Sequence, residues 1–169
     1  PAGAVIETDK VNPDKFYGSY DGTFYMSTDG GKTFSPIANM LVSATSIKAC
    51  PDTEGDLWIS VGAGGVYYLD TATGTLAPTS QDVTQCDAIG LGKAEKDGDY
   101  MALYMMGEAN GNGYGIYMSA DKGVTWKRIN DDTQKRGNVR KIISGDPKVY
   151  GRVYVGTDGR GIIMGNVKQ

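Results

Sequence analysis

Short runs of β-branched and aromatic residues alternate along the chain with turns rich in glycine and aspartate. The segment "KFYGSYDGTFYMSTDGGKTFSPI", Lys15 to Ile37, shows the pattern clearly. Such runs, separated by positions that favour tight turns, are typical of β-strands joined in hairpins. No competing helical spacing of apolar residues is present. The sequence therefore predicts an all-β protein.

The hairpin pattern occurs four times. The four segments are 15–37, 57–79, 101–129 and 153–167, and the fourth stops before its last strand. Their first strands begin at Phe16, Leu57, Met101 and Val153. Successive copies are therefore offset by 41, 44 and 52 residues (57−16, 101−57 and 153−101). A period near 40 to 50 residues is typical of β-propeller blades.

A further short apolar segment precedes the later hairpins: "SIKAC", "CDAIGLG" and "VRKIIS". About four antiparallel strands per repeat predict propeller blades, approximately 1–41, 42–80, 81–130 and 139–169, in one partial β-propeller. Three to four blades are too few for the usual closed ring. Either Ala4 to Thr8, "AVIET", supplies a closing strand, or the chain is an arc of a larger propeller, which we favour. An open arc leaves apolar blade faces for another segment or chain to cover.

An eight-residue motif occurs twice at the blade period, as "STDGGKTF" from Ser27 to Phe34 and "SADKGVTW" from Ser119 to Trp126. We predict that it holds the turn between the two outer strands of a blade: the serine and aspartate accept turn amides, glycine takes positive φ, and the aromatic ring tucks between sheets. A decayed copy runs from Asp70 to Thr75. The predicted structural residues of this Asp box are Ser27, Asp29, Gly31, Thr33, Phe34, Ser119, Asp121, Gly123, Thr125 and Trp126.

Composition narrows the chemistry. The 169 residues carry a net charge of −3 and no basic stripe, which disfavours nucleic acid as a partner, and no apolar run approaches the length of a membrane span. The chain has no histidine, so it holds no Ser-His or Cys-His nucleophile pair. The two cysteines, Cys50 and Cys86, are either one bridge or, as we favour, two buried thiols. No cofactor or metal is predicted.

Several long runs resemble glycoside hydrolase family 74, the xyloglucanases. The resemblance covers essentially the whole chain. It lies in the opening "VNPDKFYGSYDGTFYMSTDGGKTF", 11–34, and above all in the C-terminal run 125–162, of which "GDPKVYGRVYVGTDGRGI", 145–162, is the most specific part. It implies a secreted, extracellular, inverting endo-β-1,4-glucanase that hydrolyses xyloglucan, built as two seven-bladed propellers with the substrate in a cleft between them. This chain resembles the last blades of the second propeller.

The resemblance carries neither catalytic aspartate onto this chain. In the family the general acid and base lie in Asp-x-Gly-Gly turns near the start of each propeller, and the turn at Asp29 has the wrong spacing because it belongs to an Asp box. The chain alone is therefore expected to be inactive. Where the family usually has His-Gln after "INDD", this sequence reads "TQKR" at 133–136, so a sugar contact from that histidine does not carry over.

Candidate site residues lie on the loops opposite the Asp boxes, where aromatic rings and hydrogen-bonding side chains are suited to pyranose rings. The predicted substrate-binding residues are Tyr20, Asn110, Asn112, Tyr114, Gln134, Arg136 and Arg160. The insertion "GEANGNGYG", 107–115, is the most site-like, with a flexible glycine-rich loop as the alternative. The best carboxylate pair within the chain is Asp131 and Asp132, although such a pair after a strand is usually a turn or cap. Trp58 and Trp126 are predicted in the core.

Two functional hypotheses follow. In the first, the chain is scaffold and cleft wall of a xyloglucan-degrading enzyme, with xyloglucan or a related β-glucan and the remaining blades of the parent enzyme as its partners. In the second, the same blades form a noncatalytic glycan-binding or protein-interaction arc.

Overall fold

The structure, a computed structural model, describes residues 2–40, 42–134 and 139–167. Its fifteen described strands are β1 (Val5–Thr8), β2 (Phe16–Tyr20), β3 (Thr23–Ser27), β4 (Ser35–Asn39), β5 (Ser46–Ala49), β6 (Asp56–Ser60), β7 (Val66–Asp70), β8 (Thr75–Pro78), β9 (Val83–Gly92), β10 (Ala102–Ala109), β11 (Tyr114–Ser119), β12 (Lys127–Arg128), β13 (Val139–Gly145), β14 (Arg152–Thr157) and β15 (Ile162–Asn166). A single turn of 3₁₀ helix, Asp132–Gln134, is the only helix among these residues.

The strands form four antiparallel sheets in chain order. Three sheets have four strands, β1 to β4, β5 to β8 and β9 to β12, and the last has three, β13 to β15. The first strands of neighbouring sheets contact one another, so that β1 lies beside β5, β5 beside β9 and β9 beside β13. This arrangement confirms the predicted all-β fold of propeller blades.

The segment Ala4 to Thr8 was considered above as a strand that could close the propeller ring, but the structure places it elsewhere. Its strand β1 pairs with β2 of the same sheet, with Val5 opposite Ser19, and is therefore the first strand of the first blade. In the described residues, the fourth sheet ends at β15 without an outer strand.

The core consists of three apolar clusters, each between two successive sheets. Strand β6 shows how the sequence produces this layering, since it is buried on both faces. Leu57 and Ile59 join the cluster with the first sheet, whereas Trp58 joins the cluster with the third. Because strand side chains alternate between faces, one strand fills two interfaces. Trp58 and Trp126 are buried as predicted, and Cys50 and Cys86 are buried free thiols.

Glycine allows the closest approach between sheets. A Cβ added to Gly145 of β13 would lie 2.6 Å from the Gly92 Cα of β9 and 2.5 Å from a ring carbon of Tyr104. A Cβ added to Gly90 would lie 2.5 Å from the Ile143 carbonyl oxygen. The first strands of the third and fourth sheets therefore touch backbone to backbone, which no residue with a side chain permits here.

Both Asp boxes form the same hydrogen-bond network. In the first, Asp29 accepts the Thr33 amide at 2.9 Å and its hydroxyl at 2.6 Å, and Ser27 Oγ accepts the Gly31 amide at 2.9 Å. In the second, Asp121 accepts the Thr125 amide and hydroxyl at the same distances. In the decayed copy, Asp70 accepts the Ala72 amide and the Thr73 hydroxyl, each at 2.9 Å.

The aromatic residue of the two boxes behaves differently. Trp126 is buried against the second sheet, where its indole N–H donates to the Gly123 carbonyl at 3.0 Å. Phe34, which was also expected to tuck between sheets, is 40% exposed. The expectation fails at Phe34 because the aromatic of the other box packs toward the preceding sheet, and the described residues include no sheet before the first.

A second repeated turn lies between the first two strands of the outermost sheets. Asp9 accepts the Val11 and Asn12 amides, each at 2.7 Å, and the Tyr17 hydroxyl at 2.6 Å. In the fourth sheet the corresponding residues, again eight positions apart, are Asp146 and Tyr154. The Tyr154 hydroxyl donates to one carboxylate oxygen of Asp146 at 2.8 Å, and two loop amides donate to the other oxygen. This motif was not recognised in the sequence, although its spacing is visible there.

We expect the Asp boxes to make the protein sensitive to acid. Hydrogen bonds from the Thr33 hydroxyl and amide and from Ser27 lower the pKa of Asp29 to about 2. Burial alone would raise the pKa of Asp121, but hydrogen bonds from Thr125 and Ser119 outweigh burial and lower it. A pKa lowered by folding means that the charged form stabilises the fold above the unfolded pKa of about 3.9 and that this stabilisation is lost as the pH falls toward the folded value.

The midpoint of thermal unfolding should therefore decline between about pH 4 and pH 2. The double variant Asp29→Asn with Asp121→Asn should be less stable than the wild type at pH 7 and should lose less stability over this interval. Equal losses in the two proteins would show that other carboxylates cause the acid sensitivity. Differential scanning fluorimetry across the pH series measures both.

Candidate functional site

The loops opposite the Asp boxes lie along one rim of the sheets. In an antiparallel meander, the loop after the second strand and the connection after the fourth strand lie at the same end. The turn after β2, the turn between β10 and β11, the connection after β12 and the turn between β14 and β15 therefore share this rim. Tyr20, Asn112, Asp131 and Arg160 all lie on it.

A groove of about 1050 Å³ lies between the third and fourth sheets and reaches this rim. The walls of the groove are apolar, and the residues at its mouth, which form the rim of the groove, are polar. The wall residues include Met106, Ile116, Ile129, Val153, Val155 and Ile163, and the rim residues are Asn112, Tyr114, Arg128, Asn130, Asp131 and Asp132. Apolar walls below a few convergent polar groups are the usual composition of a small-molecule site.

Arg128, at the end of β12, organises the rim. Its guanidinium donates to the Asn112 carbonyl at 3.0 Å, to the Tyr114 carbonyl at 3.3 Å and to Asp132 at 2.9 Å. One side chain thus ties the β10–β11 turn to the 3₁₀ helix after β12. The Arg128 Nε is buried and has no hydrogen-bond partner in the described structure.

Gly115 makes room for this arginine. A Cβ at position 115 would lie 2.6 Å from Arg128 Nε and 2.7 Å from Asn130 Oδ1, so any other residue would displace both side chains. Asn130 Oδ1 also accepts the Ile116 amide at 2.7 Å, which holds the connection after β12 against β11. Sequence reasoning missed Arg128. A basic residue directly before "INDD" was the available signal, but a single cation at the end of a strand is common.

The carboxylates Asp131 and Asp132 both hold local structure. Asp131 accepts the Thr133 amide at 2.8 Å and the Thr133 hydroxyl, which caps the short helix, and Asp132 pairs with Arg128. These are the turn and cap roles that adjacent aspartates commonly take after a strand. The contacts favour a structural role over the weak catalytic assignment considered for this pair.

The insertion 107–115 is an ordered extension of the hairpin. Strands β10 and β11 remain paired up to Glu108 opposite Tyr114, so the loop proper is only 110–113. The Asn110 side-chain amide donates to the Trp126 carbonyl at 2.7 Å, which gives this candidate sugar ligand a structural role. These contacts favour a paired hairpin over the flexible-loop alternative.

Tyr114 has the geometry of a stacking platform. Its hydroxyl donates to Asp87 Oδ2 at 2.8 Å, while 42% of the residue remains exposed at the groove. Burial of the hydroxyl and the hydrogen bond to Asp87 raise the pKa of Tyr114 above its usual value, so it stays a neutral donor. A ring fixed at its polar end loses little entropy when a ligand stacks on it.

The other predicted ligands are distributed along the rim. Tyr20, 42% exposed, lies on the first sheet and lines a separate pocket. Arg160 is exposed in the β14–β15 turn and does not line the groove. Gln134 ends the 3₁₀ helix beside the groove, and Arg136 lies outside the described residues. The groove thus gathers Asn112 and Tyr114 with the two aspartates.

The described residues contain no group of three or more Asp, Glu or Cys residues suited to holding a metal ion. They also include no helix long and apolar enough to cross a bilayer.

Four successive antiparallel sheets joined side by side, two of them closed by complete Asp-box turns, define this chain as a section of a β-propeller. No protein-family model matches it. It is 44% identical over 165 residues to a xyloglucanase of Acetivibrio thermocellus, a match that covers 96% of this chain and 19% of the relative. It is 32% identical over 183 residues to an oligoxyloglucan-reducing end-specific xyloglucanase of Emericella nidulans, covering 100% of this chain and 22% of the relative.

Solved structures agree with the sequence matches. The crystal structure of a family 74 xyloglucanase from Xanthomonas campestris superimposes with a TM-score of 0.89 at 32% identity, covering 99% of this chain and 24% of that one. The chain belongs to glycoside hydrolase family 74. It spans about a fifth of the length of the curated relatives it matches.

Proposed function

We propose that this chain is part of the second propeller of a secreted, extracellular xyloglucan hydrolase, in which the groove beside Tyr114 forms one wall of the substrate cleft. The observation that carries the proposal is the groove itself, a wide apolar channel with an anchored aromatic ring at its rim. A β-glucan presents flat, apolar pyranose faces and a periphery of hydroxyls. Such faces stack on an exposed ring, and the hydroxyls hydrogen-bond with the Asn, Asp and backbone groups of the rim.

The hydrolytic carboxylates lie outside residues 1–169 in this proposal. Inverting hydrolysis needs one carboxyl group as acid and a second as base on opposite sides of the sugar, about 6.5–9.5 Å apart. Asp131 caps the short helix that Asp132 begins, and the two adjacent carboxylates engage Thr133 and Arg128. The chain contributes substrate contacts and scaffold, and the reaction requires the remaining blades.

The ends of the arc support a longer propeller. Phe34 and Ile6 are exposed on the outer face of the first sheet, at 40% and 64%. On β15, the edge strand of the fourth sheet in the described residues, Ile162 and Met164 are exposed at 77% and 52%. Apolar blade faces of this kind are normally covered by a neighbouring blade, which here corresponds to the remaining blades of the parent enzyme.

A chimera tests the proposal. The segment of the Acetivibrio thermocellus xyloglucanase that matches this chain is replaced by residues 1–169, and release of reducing ends from xyloglucan is measured. We expect the chimera to hydrolyse xyloglucan and residues 1–169 alone to release none. A folded but inactive chimera that still binds xyloglucan would instead support the noncatalytic glycan-binding arc.

Within the active chimera, Arg128→Gln should raise KM for xyloglucan by about tenfold, the factor expected from about 1.4 kcal/mol of lost binding, with a smaller change in kcat. Glutamine cannot bridge the β10–β11 turn and Asp132 together, so Tyr114 loses the restraint on its backbone and keeps only its hydroxyl bond to Asp87 and its strand pairing. The matched control is Lys32→Gln, an exposed cation on the opposite, Asp-box rim. An unchanged KM for Arg128→Gln would show that the groove is not part of the cleft wall. The hydrolytic activity proposed for the whole enzyme would still stand.

A further inference from the structure

The loop between β10 and β11 contains two asparagine-glycine pairs in succession, 110–111 and 112–113. No other asparagine in the chain precedes a glycine. Glycine has no Cβ, so its nitrogen is sterically open to attack the side-chain carbonyl carbon of a preceding asparagine. We propose that Asn112 is a site of spontaneous covalent modification, at which the side-chain amide is lost through a cyclic imide, and that this conversion alters the rim of the groove.

The reaction needs water as its only co-reactant. The Gly113 nitrogen loses its proton and forms a bond to Cγ of Asn112, and the side-chain nitrogen takes up a proton and leaves as ammonia. Water then opens the cyclic imide. Attack of water at the side-chain carbonyl gives aspartate, whereas attack at the main-chain carbonyl gives isoaspartate, in which the backbone runs through the former side chain.

The contacts of Asn112 leave its side chain available for this reaction. Asn112 is exposed, and its hydrogen bonds in the described structure use main-chain atoms. Its amide donates to the Ala109 carbonyl at 3.1 Å, and its carbonyl accepts from Arg128 at 3.0 Å. A Cβ added to Gly113 would meet no atom within 4 Å outside its chain neighbours. The side chain is therefore free to approach the Gly113 nitrogen.

Arg128 favours the first step electrostatically. Its guanidinium donates to the Asn112 carbonyl, which belongs to the same peptide group as the Gly113 nitrogen. Loss of the Gly113 proton places negative charge on this peptide group, and a fixed cation stabilises charge that develops during a reaction. Because the Arg128 side chain is only 18% exposed, water screens its charge incompletely.

Asn110 is a matched comparison within the same loop. It is also exposed and followed by a glycine, and a Cβ added to Gly111 would likewise meet no atom within 4 Å. However, the side-chain nitrogen of Asn110 donates to the Trp126 carbonyl at 2.7 Å. Breaking this bond adds to the barrier, so we expect conversion of Asn110 to be about tenfold slower than conversion of Asn112.

Conversion changes the partners of Arg128. In the isoaspartate product the main-chain carbonyl that Arg128 now binds becomes part of a free carboxylate. This carboxylate competes with Asp132 for the guanidinium, which weakens the link between the β10–β11 turn and the 3₁₀ helix. The backbone just before Tyr114 is also lengthened. The resulting loss of glycan affinity at the groove rests on the proposed function, whereas the modification itself does not.

Peptide mass spectrometry of the 169-residue chain, incubated at mildly alkaline pH, tests the modification, with electron-transfer fragmentation to distinguish isoaspartate from aspartate. Both products should accumulate at position 112 about ten times faster than at position 110 in the folded chain. In urea the two rates should become equal, because the bond from Asn110 to Trp126 is lost. Asn112→Gln is the control and should not convert, since glutamine closes a larger imide ring slowly.

Two results would overturn the modification site. The first is equal or faster conversion at Asn110 in the folded chain. The second is a difference between the two positions that persists in urea, which would assign it to local sequence instead of the fold.

Ageing of the active chimera tests the effect on the groove. Its KM for xyloglucan should rise by about threefold as Asn112 converts. The Asn112→Gln chimera, incubated in parallel and compared with its own fresh sample, should keep its KM. An unchanged KM after full conversion would overturn the effect on the groove. An inactive chimera would instead contradict the proposed function, and the mass spectra would still decide whether Asn112 converts.

Discussion

Replacing Gly145 with alanine is expected to destabilise the protein by about 3 kcal/mol or more, at the upper end of the usual cost of overpacking. The added Cβ would lie 2.5 Å from a ring carbon of the fully buried Tyr104 and 2.6 Å from the Gly92 Cα. A flexible side chain rotates away from such a clash, but a strand backbone does not. Relief requires β9 and β13 to separate, which opens the third apolar cluster along its inner edge.

Thermal and urea unfolding measure the effect, and Gly165→Ala is the matched control. Gly165 is also a strand glycine of the fourth sheet without positive φ, but the nearest atom to its added Cβ is 3.8 Å away, an ordinary contact. Gly145→Ala should lower the unfolding midpoint by roughly 6–12 °C, and Gly165→Ala by far less. Equal midpoints for the two variants would mean that the inner strands are not in contact in solution.

Replacing Asp9 with alanine is the second change with a large expected effect, about 3–4 kcal/mol of lost stability from several hydrogen-bond donors left without an acceptor. Besides the three donors within its own turn, the carboxylate accepts the Gly55 amide of the second sheet at 2.9 Å. Asp9 is 6% exposed, so water replaces these bonds poorly. Burial alone would raise the pKa of Asp9, but the hydrogen bonds from Tyr17, Asn12, Gly55 and Val11 outweigh it and lower the pKa.

The variant Asp146→Ala distinguishes the stability contributed by the turn from the stability contributed by the hydrogen bond between sheets. Asp146 accepts the same local set, two loop amides and a tyrosine hydroxyl eight residues later, with Arg152 nearby in its own sheet. We expect Asp146→Ala to lower the free energy of unfolding by about 1–2 kcal/mol less than Asp9→Ala does. This difference is the contribution of the Asp9 hydrogen bond to the second sheet and of the burial around it. Chemical denaturation of both variants gives the difference. A larger loss at Asp146 would show that the turn itself, rather than its link between sheets, carries the stability.

Fold class and repeat number were predictable because they depend on local chemistry. Strand and turn preferences act over a few residues, and the Asp box closes its network within eight positions, so both are readable wherever they recur. Trp58 and Trp126 were predicted in the core, and both are buried. The Asp9 and Asp146 turns were equally local and could have been found from the shared spacing to Tyr17 and Tyr154.

The site was only partly predictable. Tyr114 and Asn112 were identified from an insertion in a hairpin, and both line the groove. Asn110 stays a predicted sugar ligand, and in the structure its side-chain amide donates to the Trp126 carbonyl, a contact that the sequence did not indicate. Arg128 was missed, since its importance comes from reaching two loops that are distant in sequence and adjacent in space.

The sequence by itself determined an all-β propeller section of glycoside hydrolase family 74, because blade repeats, turn motifs and family resemblance are properties of ordered residues along a chain. Only the tertiary structure decided which of these residues meet. Whether Phe34 is buried depends on a neighbouring sheet, whether Asp132 is a base or an arginine partner depends on Arg128, and whether Asn110 finds a hydrogen bond depends on what surrounds it. Packing between sheets sets these relations, and no local pattern encodes the distances involved.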